Sequence, residues 1–166
     1  MVIKSTSIKD IKGIRRTVEY CLSEQKNAEL IYSRYLPRNA DINRMVQELE
    51  ANEKLRLRRR KDSVILFHDI VSFHHLDSDK IQDEQLRELA LRYADMRKDA
   101  MNITVLHKED SAHTHLHIIS SGVEYGIGKA TRISKAKFNE QKQLLQDYED
   151  REMKLEHSHI DHSKKK

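Results

Sequence analysis

Histidine recurs at every second position in residues 113–117, HTHLH, and this alternation constrains the fold more than any other stretch of the chain. In a β-strand, residues i, i+2 and i+4 point to one face of the sheet. A strand here would project His113, His115 and His117 from the same side. The apolar, largely β-branched residues between and after them are typical of a buried strand.

A fourth histidine, His107, lies upstream, with Glu109 and Asp110 between it and the alternating run. Neutral imidazole is the commonest side-chain metal ligand. Several imidazoles on one rigid strand, with a further imidazole and two carboxylates close in sequence, favour a divalent-metal site. The alternative is a histidine-rich surface strand that binds no ligand.

The composition indicates one domain in a reducing compartment. The chain has 166 residues, of which 37% are hydrophobic and 35% charged, with only four glycines and one proline. These counts predict long regular elements and few elaborate loops. The single cysteine, Cys21, excludes an intramolecular disulfide framework. We find neither a signal peptide nor an apolar run of membrane-spanning length, so we expect a soluble, cytoplasmic protein.

Hydrophobic periodicity predicts an α+β fold with a single antiparallel-rich sheet of about five strands and helices packed on it. We predict helices over residues 8–23 (capped by Ser7), 41–55 (capped by Asp41), from Asp83 to about residue 97, and 135–155. Strands are predicted over 29–36, 63–73, 102–106, 113–120 and 130–133. Because a short loop joins the third and fourth strands, they should be antiparallel neighbours, which would bring His107 beside the histidine strand. Residues 1–156 would form this domain and 157–166 a polar, basic, disordered tail.

Basic residues cluster in two places. The net charge is +4, and the clusters are residues 55–61, LRLRRRK, and Lys164 to Lys166. Such clusters attract polyanions, nucleic acid above all. The candidates for contacts to a DNA backbone are Arg56, Arg58, Arg59, Arg60 and Lys61, although such a run can also be a solvated helix end. Contacts of this kind would give salt-dependent affinity without reading sequence.

Three motifs in order resemble those of the relaxase, or mobilization nuclease, family of HUH endonucleases, over roughly residues 5–150. The first is 14–20, IRRTVEY, followed by the polar segment 23–26. The second is 70–73, IVSF, followed by Asp77-Ser78 and the helix near Asp83. The third is His107-Lys108-Glu109 with 115–119, HLHII, and the glycine turn 125–129, YGIGK, follows it.

Two departures from the family pattern stand out. The spacing from His107 to the pair His115 and His117 is one residue longer than usual. His113 could therefore replace His107 as a ligand, or it could occupy the outer polar position that precedes the pair. The asparagine that often follows the histidine strand is replaced here by Ser120 or Ser121.

The resemblance implies an HUH endonuclease-like fold and an enzyme that nicks and rejoins one DNA strand at an origin of transfer through a covalent 5'-phosphotyrosine. Tyr20 would attack, and His107, His115 and His117 would hold Mg²⁺ or Mn²⁺. Glu109 or Asp110 would orient a ligand or act as the base toward Tyr20. The implied partners are single-stranded DNA and, in mobilization, accessory and coupling proteins.

Two alternatives stay open from sequence. An HUH replication initiator or single-strand transposase usually carries its tyrosine on a helix after the histidine strand, where Tyr148 lies. Tyr32 and Tyr35 also compete with Tyr20. The second alternative is a non-catalytic DNA-binding accessory protein, which would bind metal but form no covalent adduct with DNA.

Overall fold

The computed structural model describes residues 1–23, 27–108 and 113–163. Its strands are β1 (Val2–Ile8), β2 (Ala28–Arg34), β3 (Leu66–Ser72), β4 (Ala100–His107) and β5 (His115–Glu124). Its α-helices are α1 (Lys12–Cys21), α2 (Ile42–Glu53), α3 (Asp83–Asp95) and α4 (Lys135–Tyr148). A 3-10 helix (His75–Lys80) precedes α3, and a π-helical turn (Glu149–Met153) follows α4.

The strands form one sheet in the order β1-β3-β5-β4-β2, and every adjacent pair is antiparallel. The predicted α+β class with an antiparallel sheet is confirmed. The predicted pairing of the two strands around residues 109–112 is also confirmed, because β4 and β5 are neighbours and His107 lies opposite His115.

The sheet separates two apolar cores, which is why its central strands are buried on both faces. On one face, Val105 and Ile119 pack with residues of α1 and α2. On the other face, Leu106 and Ile118 pack with residues of α3 and α4. Since side chains alternate along a strand, His107 and His117 share the face covered by α1 and α2.

The predicted start of the first helix and the predicted last strand are wrong. Residues 2–8 form the edge strand β1, paired with β3, so Ser7 lies in a strand and α1 begins only at Lys12. This strand is largely exposed and polar, so it lacks the apolar alternation that marks a buried strand. Residues 130–133 make only an isolated bridge, between Val123 and Ala130, rather than a strand.

The starts of α2 and α3 follow local capping chemistry. Asp41 caps α2 as predicted, since its carboxylate accepts a hydrogen bond from the Arg44 amide at 2.8 Å. The cap of α3 is Gln82 rather than Asp83, and it forms a reciprocal capping box with Gln85. Within the described ranges, no helix is both long and apolar enough to span a bilayer.

The described part of the segment expected to be a disordered tail is hydrogen-bonded to the domain. The buried Asp77 carboxylate accepts from the Ser158 hydroxyl at 2.7 Å and from the His157 amide at 3.0 Å. The His162 amide donates to the side chain of Gln143 at 3.1 Å. These partners lie 19 to 81 positions away in sequence, which local composition could not indicate.

Candidate metal centre and active site

Three histidines converge on the face of the sheet that α1 covers. His107 ends β4 opposite His115, the first residue of β5, and His117 is the next residue of β5 on that face. The ring centroid of His107 lies 5.1 Å from that of His115 and 4.3 Å from that of His117, and the latter two are 4.9 Å apart. One ligand nitrogen from each ring lies within 4.8 Å of the other two, so the three can hold one ion.

Each of the three rings uses one nitrogen in a contact that fixes its orientation. The Nε2 atom of His107 lies 2.6 Å from the Cys21 carbonyl oxygen, and the Nδ1 atom of His115 lies 2.8 Å from the His113 carbonyl oxygen. Because a carbonyl oxygen only accepts, both nitrogens must carry the proton, and the opposite nitrogen is then the metal ligand. The Nδ1 atom of His117 lies 2.9 Å from the Nε2 atom of His68.

This arrangement fits a divalent ion. Metal-bound histidines almost always donate their other ring N–H to a carbonyl, a carboxylate or water, and carbonyl oxygens perform that role here for His107 and His115. His107 and His117 are buried, whereas His115 is only half buried, so the group borders solvent on the His115 side. An imidazole donor set accepts transition ions such as Mn²⁺.

Tyr20 lies beside this histidine cluster. It is in the last turn of α1, directly before Cys21, and its side chain is 51% exposed. Its ring makes edge contacts with His117, at a centroid distance of 5.7 Å, and with His68, at 6.3 Å. The helix thus presents an accessible hydroxyl-bearing side chain next to the candidate metal ligands, while its last carbonyl holds His107.

The family model for the MobA/VirD2-like relaxase nuclease domain matches residues 20–153. The chain belongs to this family. The matched region begins at Tyr20 and includes β2 to β5 with all three converging histidines. A sequence search of curated proteins gives no significant match.

Two solved structures share the fold of this chain. The MobM relaxase domain, in a Mn-bound crystal structure with plasmid pMV158 oriT DNA, superposes with a TM-score of 0.66 at 14% identity, covering 99% of this chain and 92% of that one. A structure reported as the molecular basis of vancomycin resistance transfer in Staphylococcus aureus gives a TM-score of 0.61 at 15% identity, covering 92% of each chain. At such identities, the likeness concerns the fold.

His113 lies apart from the three converging histidines of this relaxase domain. It precedes β5, and its ring neighbours are His75, at a centroid distance of 5.6 Å, and His74, at 6.5 Å. Of the two residues between which the sequence left the third ligand open, the structure brings His107, and not His113, next to His115 and His117. Glu109 and Asp110, the candidate bases, lie outside the described residues, as do Lys164 to Lys166.

The other tyrosines weighed from sequence lie away from the relaxase histidines. Tyr148 is buried in the opposite core, with the Arg92 guanidinium 4.4 Å from its ring centroid. The Tyr35 ring stacks on the Tyr125 ring at a centroid distance of 4.6 Å, and its hydroxyl donates to Asp99. Asp99 directly precedes β4, whereas His107 is the last residue of that strand. The Tyr32 hydroxyl accepts a hydrogen bond from Arg34.

The basic residues predicted to contact DNA divide into two groups. Arg56 is inward: its guanidinium forms a two-point ion pair with the buried Glu53 carboxylate, at 2.6 and 3.0 Å, and also donates to the Val64 carbonyl. Arg58, Arg59, Arg60 and Lys61 are exposed, although Arg59 lies 3.6 Å from Glu53. The Arg56 guanidinium is therefore held at the end of α2 by Glu53 and Val64.

Sequence reasoning missed two further basic residues and one histidine. Lys129 and Arg132 line a surface cavity of about 420 Å³ together with Arg58 and Arg60, and with the acidic Asp62. The histidine is His68, whose Nε2 atom lies 2.9 Å from the Nδ1 atom of His117. Burial lowers the pKa of His68, and the nearby His107 acts in the same direction, which favours the neutral ring.

Proposed function

We propose that this relaxase domain nicks and rejoins one DNA strand at the origin of transfer of a plasmid or mobile element, with Tyr20 as nucleophile. The observation that carries this proposal is the placement of an exposed tyrosine at the end of α1, in ring contact with one of three converging histidines. The family match supports the nuclease activity.

His107, His115 and His117 would hold the divalent ion, Mg²⁺ or Mn²⁺. When bound, such an ion polarises the scissile phosphate and offsets the charge that develops on it. The fit rests on the donor set and on the carbonyl contacts that fix the ligand tautomers of His107 and His115. That MobM is Mn-bound in its complex with oriT DNA supports the same choice of ion.

In the proposed reaction, the Tyr20 hydroxyl oxygen attacks the phosphorus and the bond from phosphorus to the 3' oxygen breaks. The leaving 3' oxygen takes up a proton from solvent, so the products are a 5'-phosphotyrosine and a free 3' hydroxyl. The phenol proton leaves during the attack, since a protonated phenol is a poor nucleophile. Glu109 or Asp110 is the proposed base. Attack by a 3' hydroxyl on the same phosphorus reverses the step and rejoins the strand.

The proposed substrate is single-stranded DNA containing an origin of transfer, with accessory and coupling proteins as further partners. The phosphates of this strand would be contacted by the exposed basic residues that line the cavity near the end of β5, namely Arg58, Arg60, Lys129 and Arg132. A cytoplasmic location is also proposed, and the single cysteine, which suits a reducing compartment, supports it.

The test is a covalent-adduct assay on single-stranded oligonucleotides from the chain's own genetic element. With Mn²⁺, we expect an SDS-resistant band that is abolished by chelator and by Tyr20→Phe. Tyr32→Phe is the matched control, since Tyr32 lies on β2 with its hydroxyl bonded to Arg34, and its adduct should match that of the wild-type protein.

Two results would contradict the proposal. An adduct that persists in Tyr20→Phe would move the nucleophile to another residue. Metal binding with no adduct on any origin-derived strand would instead favour a non-catalytic DNA-binding protein.

A further inference from the structure

A second group of metal-ligating atoms lies on the other side of His117. The Sγ atom of Cys21, a ring nitrogen of His68 and a ring nitrogen of His117 all lie within 4.8 Å of one another. Cys21 and His117 are buried, and His68 is half buried. We propose that these three residues form a second binding site for a soft, thiophilic divalent ion such as Zn²⁺ or Cd²⁺, and that an ion there excludes the ion held by His107, His115 and His117.

The distances within this group are close to those of a tetrahedral zinc site. The Cys21 Sγ atom lies 3.6 Å from the His68 Nε2 atom, which lies 2.9 Å from the His117 Nδ1 atom. With bonds of about 2.3 Å to sulfur and about 2.1 Å to nitrogen, a tetrahedral zinc ion separates sulfur from nitrogen by about 3.6 Å and two nitrogens by about 3.4 Å. The contact between the two rings must therefore open, by about half an ångström, to admit an ion.

The two sites compete because they share one imidazole. A neutral ring has one nitrogen with a lone pair for a metal, and the other nitrogen carries the proton. When His117 binds an ion through Nε2, its Nδ1 atom carries the proton and donates to His68. Binding of an ion through Nδ1, together with Cys21 and His68, moves that proton to Nε2 and removes His117 from the first group.

The two sites differ in their ligand types and should therefore prefer different ions. Thiolate is a soft ligand that selects Zn²⁺ and similar ions and disfavours Mg²⁺ and Mn²⁺, and only the second group contains a thiol. Binding converts the Cys21 thiol to a thiolate and releases one proton to solvent, while both imidazoles stay neutral. The chain would thus bind Zn²⁺ or Cd²⁺ next to Tyr20, and this ion would inhibit the reaction; the inhibition rests on the proposed function, whereas the binding does not.

Cadmium binding to the whole chain tests the site without any assay of activity. Titration of metal-free protein with Cd²⁺ should produce the ultraviolet charge-transfer band of a cadmium–thiolate bond, saturating at one ion per chain. Cys21→Ser should abolish the band, since Cys21 is the only cysteine, while it retains the backbone carbonyl that holds His107. His68→Gln should weaken Cd²⁺ affinity by at least tenfold and provides a second variant should Cys21→Ser fail to fold.

The matched control is His115→Ala, because His115 belongs only to the first group. This variant should keep the cadmium band and lose Mn²⁺ binding, measured from the electron paramagnetic resonance signal of free Mn²⁺. In the wild-type chain, bound Cd²⁺ should raise the Kd for Mn²⁺ at least tenfold and suppress the DNA adduct.

The outcomes separate the two proposals. If wild-type protein forms the DNA adduct with Mn²⁺ but gives no cadmium–thiolate band, the second site is wrong and the proposed function stands. A band without any adduct in Mn²⁺ alone would support the second site and overturn the proposed function. Simultaneous, independent binding of Cd²⁺ and Mn²⁺ would overturn the competition.

Discussion

His113 and His115 are two positions apart in sequence but have different surroundings. The His115 ring is one of three that converge at the β4–β5 pair, whereas the His113 ring lies among His74 and His75. We expect His115→Ala to weaken Mn²⁺ binding by at least a hundredfold, because it removes a ligand. His113→Ala should change the Kd by less than threefold, because the carbonyl that orients His115 is part of the backbone.

Calorimetric titration of metal-free variants with Mn²⁺ measures this difference, with His159→Ala as a control for loss of an exposed imidazole that pairs with Asp150 instead. A larger loss of affinity in His113→Ala than in His115→Ala would instead make His113 the third ligand.

The sequence predicted that His115 and His117 share one face of a strand, because this depends only on the period of the strand. It also predicted that His107 lies beside them, because a short loop joins the two strands. It could not exclude His113 from the strand, since that depends on residues far away. The Phe73 amide donates to the Thr114 carbonyl, and the Thr114 amide to the Ser78 hydroxyl, so the chain before β5 follows the segment after β3. The role of His68 depends likewise on the register of β3 against β5.

At the scale of an element, β3 contributes polar side chains to both faces of the sheet. His68 points toward α1 and the candidate metal centre, and the next residue, Asp69, points toward α3 and is fully buried. The Asp69 carboxylate accepts from the Tyr93 hydroxyl at 2.8 Å and from the Arg97 guanidinium at 3.2 Å. Burial and the Asp69 charge raise the pKa of Tyr93 well above its ordinary value, so this hydroxyl acts as a neutral donor.

Asp69→Asn should destabilise the domain strongly. The amide is nearly isosteric, but it leaves the Arg97 guanidinium, whose side chain is 4% exposed, without a buried counter-charge. Breaking a buried ion pair from one side typically costs about 3–5 kcal/mol. We expect a decrease of this size in the free energy of unfolding, measured by urea denaturation.

The matched acid-to-amide control is Glu140→Gln, in an exposed pair with Lys137, which should change the free energy of unfolding by less than about 1 kcal/mol. Equal effects of the two substitutions would mean that the buried pair does not hold β3 to the end of α3.

Elements with strong local patterns were predictable and β1 was not. The apolar runs of β3 and the capping aspartate of α2 identify those elements without tertiary information. Strand β1 is an edge strand whose burial comes mainly from one neighbour, β3, so its sequence carries little apolar period. Its existence follows from pairing, which becomes visible only when the whole sheet is assembled.

At the scale of the whole molecule, the candidate active site and the basic cavity lie at different ends of β5. The cavity is lined by Gly122, which follows His117 by five residues, or about 16 Å of extended strand. Its rim is shaped by the Gly128 turn, where φ is +79° and a Cβ atom would lie 2.0 Å from the Leu55 carbonyl oxygen. This close approach brings the segment after α2 against the turn after β5, so residues far apart in sequence join one positive surface.

This surface predicts how salt should affect DNA binding. Each phosphate contact that a lysine or arginine makes to a single strand contributes about 0.7 to the slope of log K against log salt concentration. Arg60→Ala and Arg132→Ala should each reduce the slope by about that amount for any sequence, because backbone contacts do not read bases. Binding of a labelled single strand across a salt series measures the slope.

Arg56→Ala is the contrasting variant, and it tests whether Arg56 stabilises the fold or contacts DNA. Removal of the Arg56 guanidinium leaves the Glu53 carboxylate, whose side chain is 3% exposed, without its two-point partner. We expect a loss of about 3–5 kcal/mol in unfolding free energy and no change in the salt slope of the folded fraction. If Arg56→Ala lowered the slope as much as Arg60→Ala while leaving stability intact, Arg56 would face DNA. All the basic residues of 55–61 would then contact DNA. In the structure, by contrast, Arg56 points inward to Glu53, whereas Arg58 to Lys61 point outward.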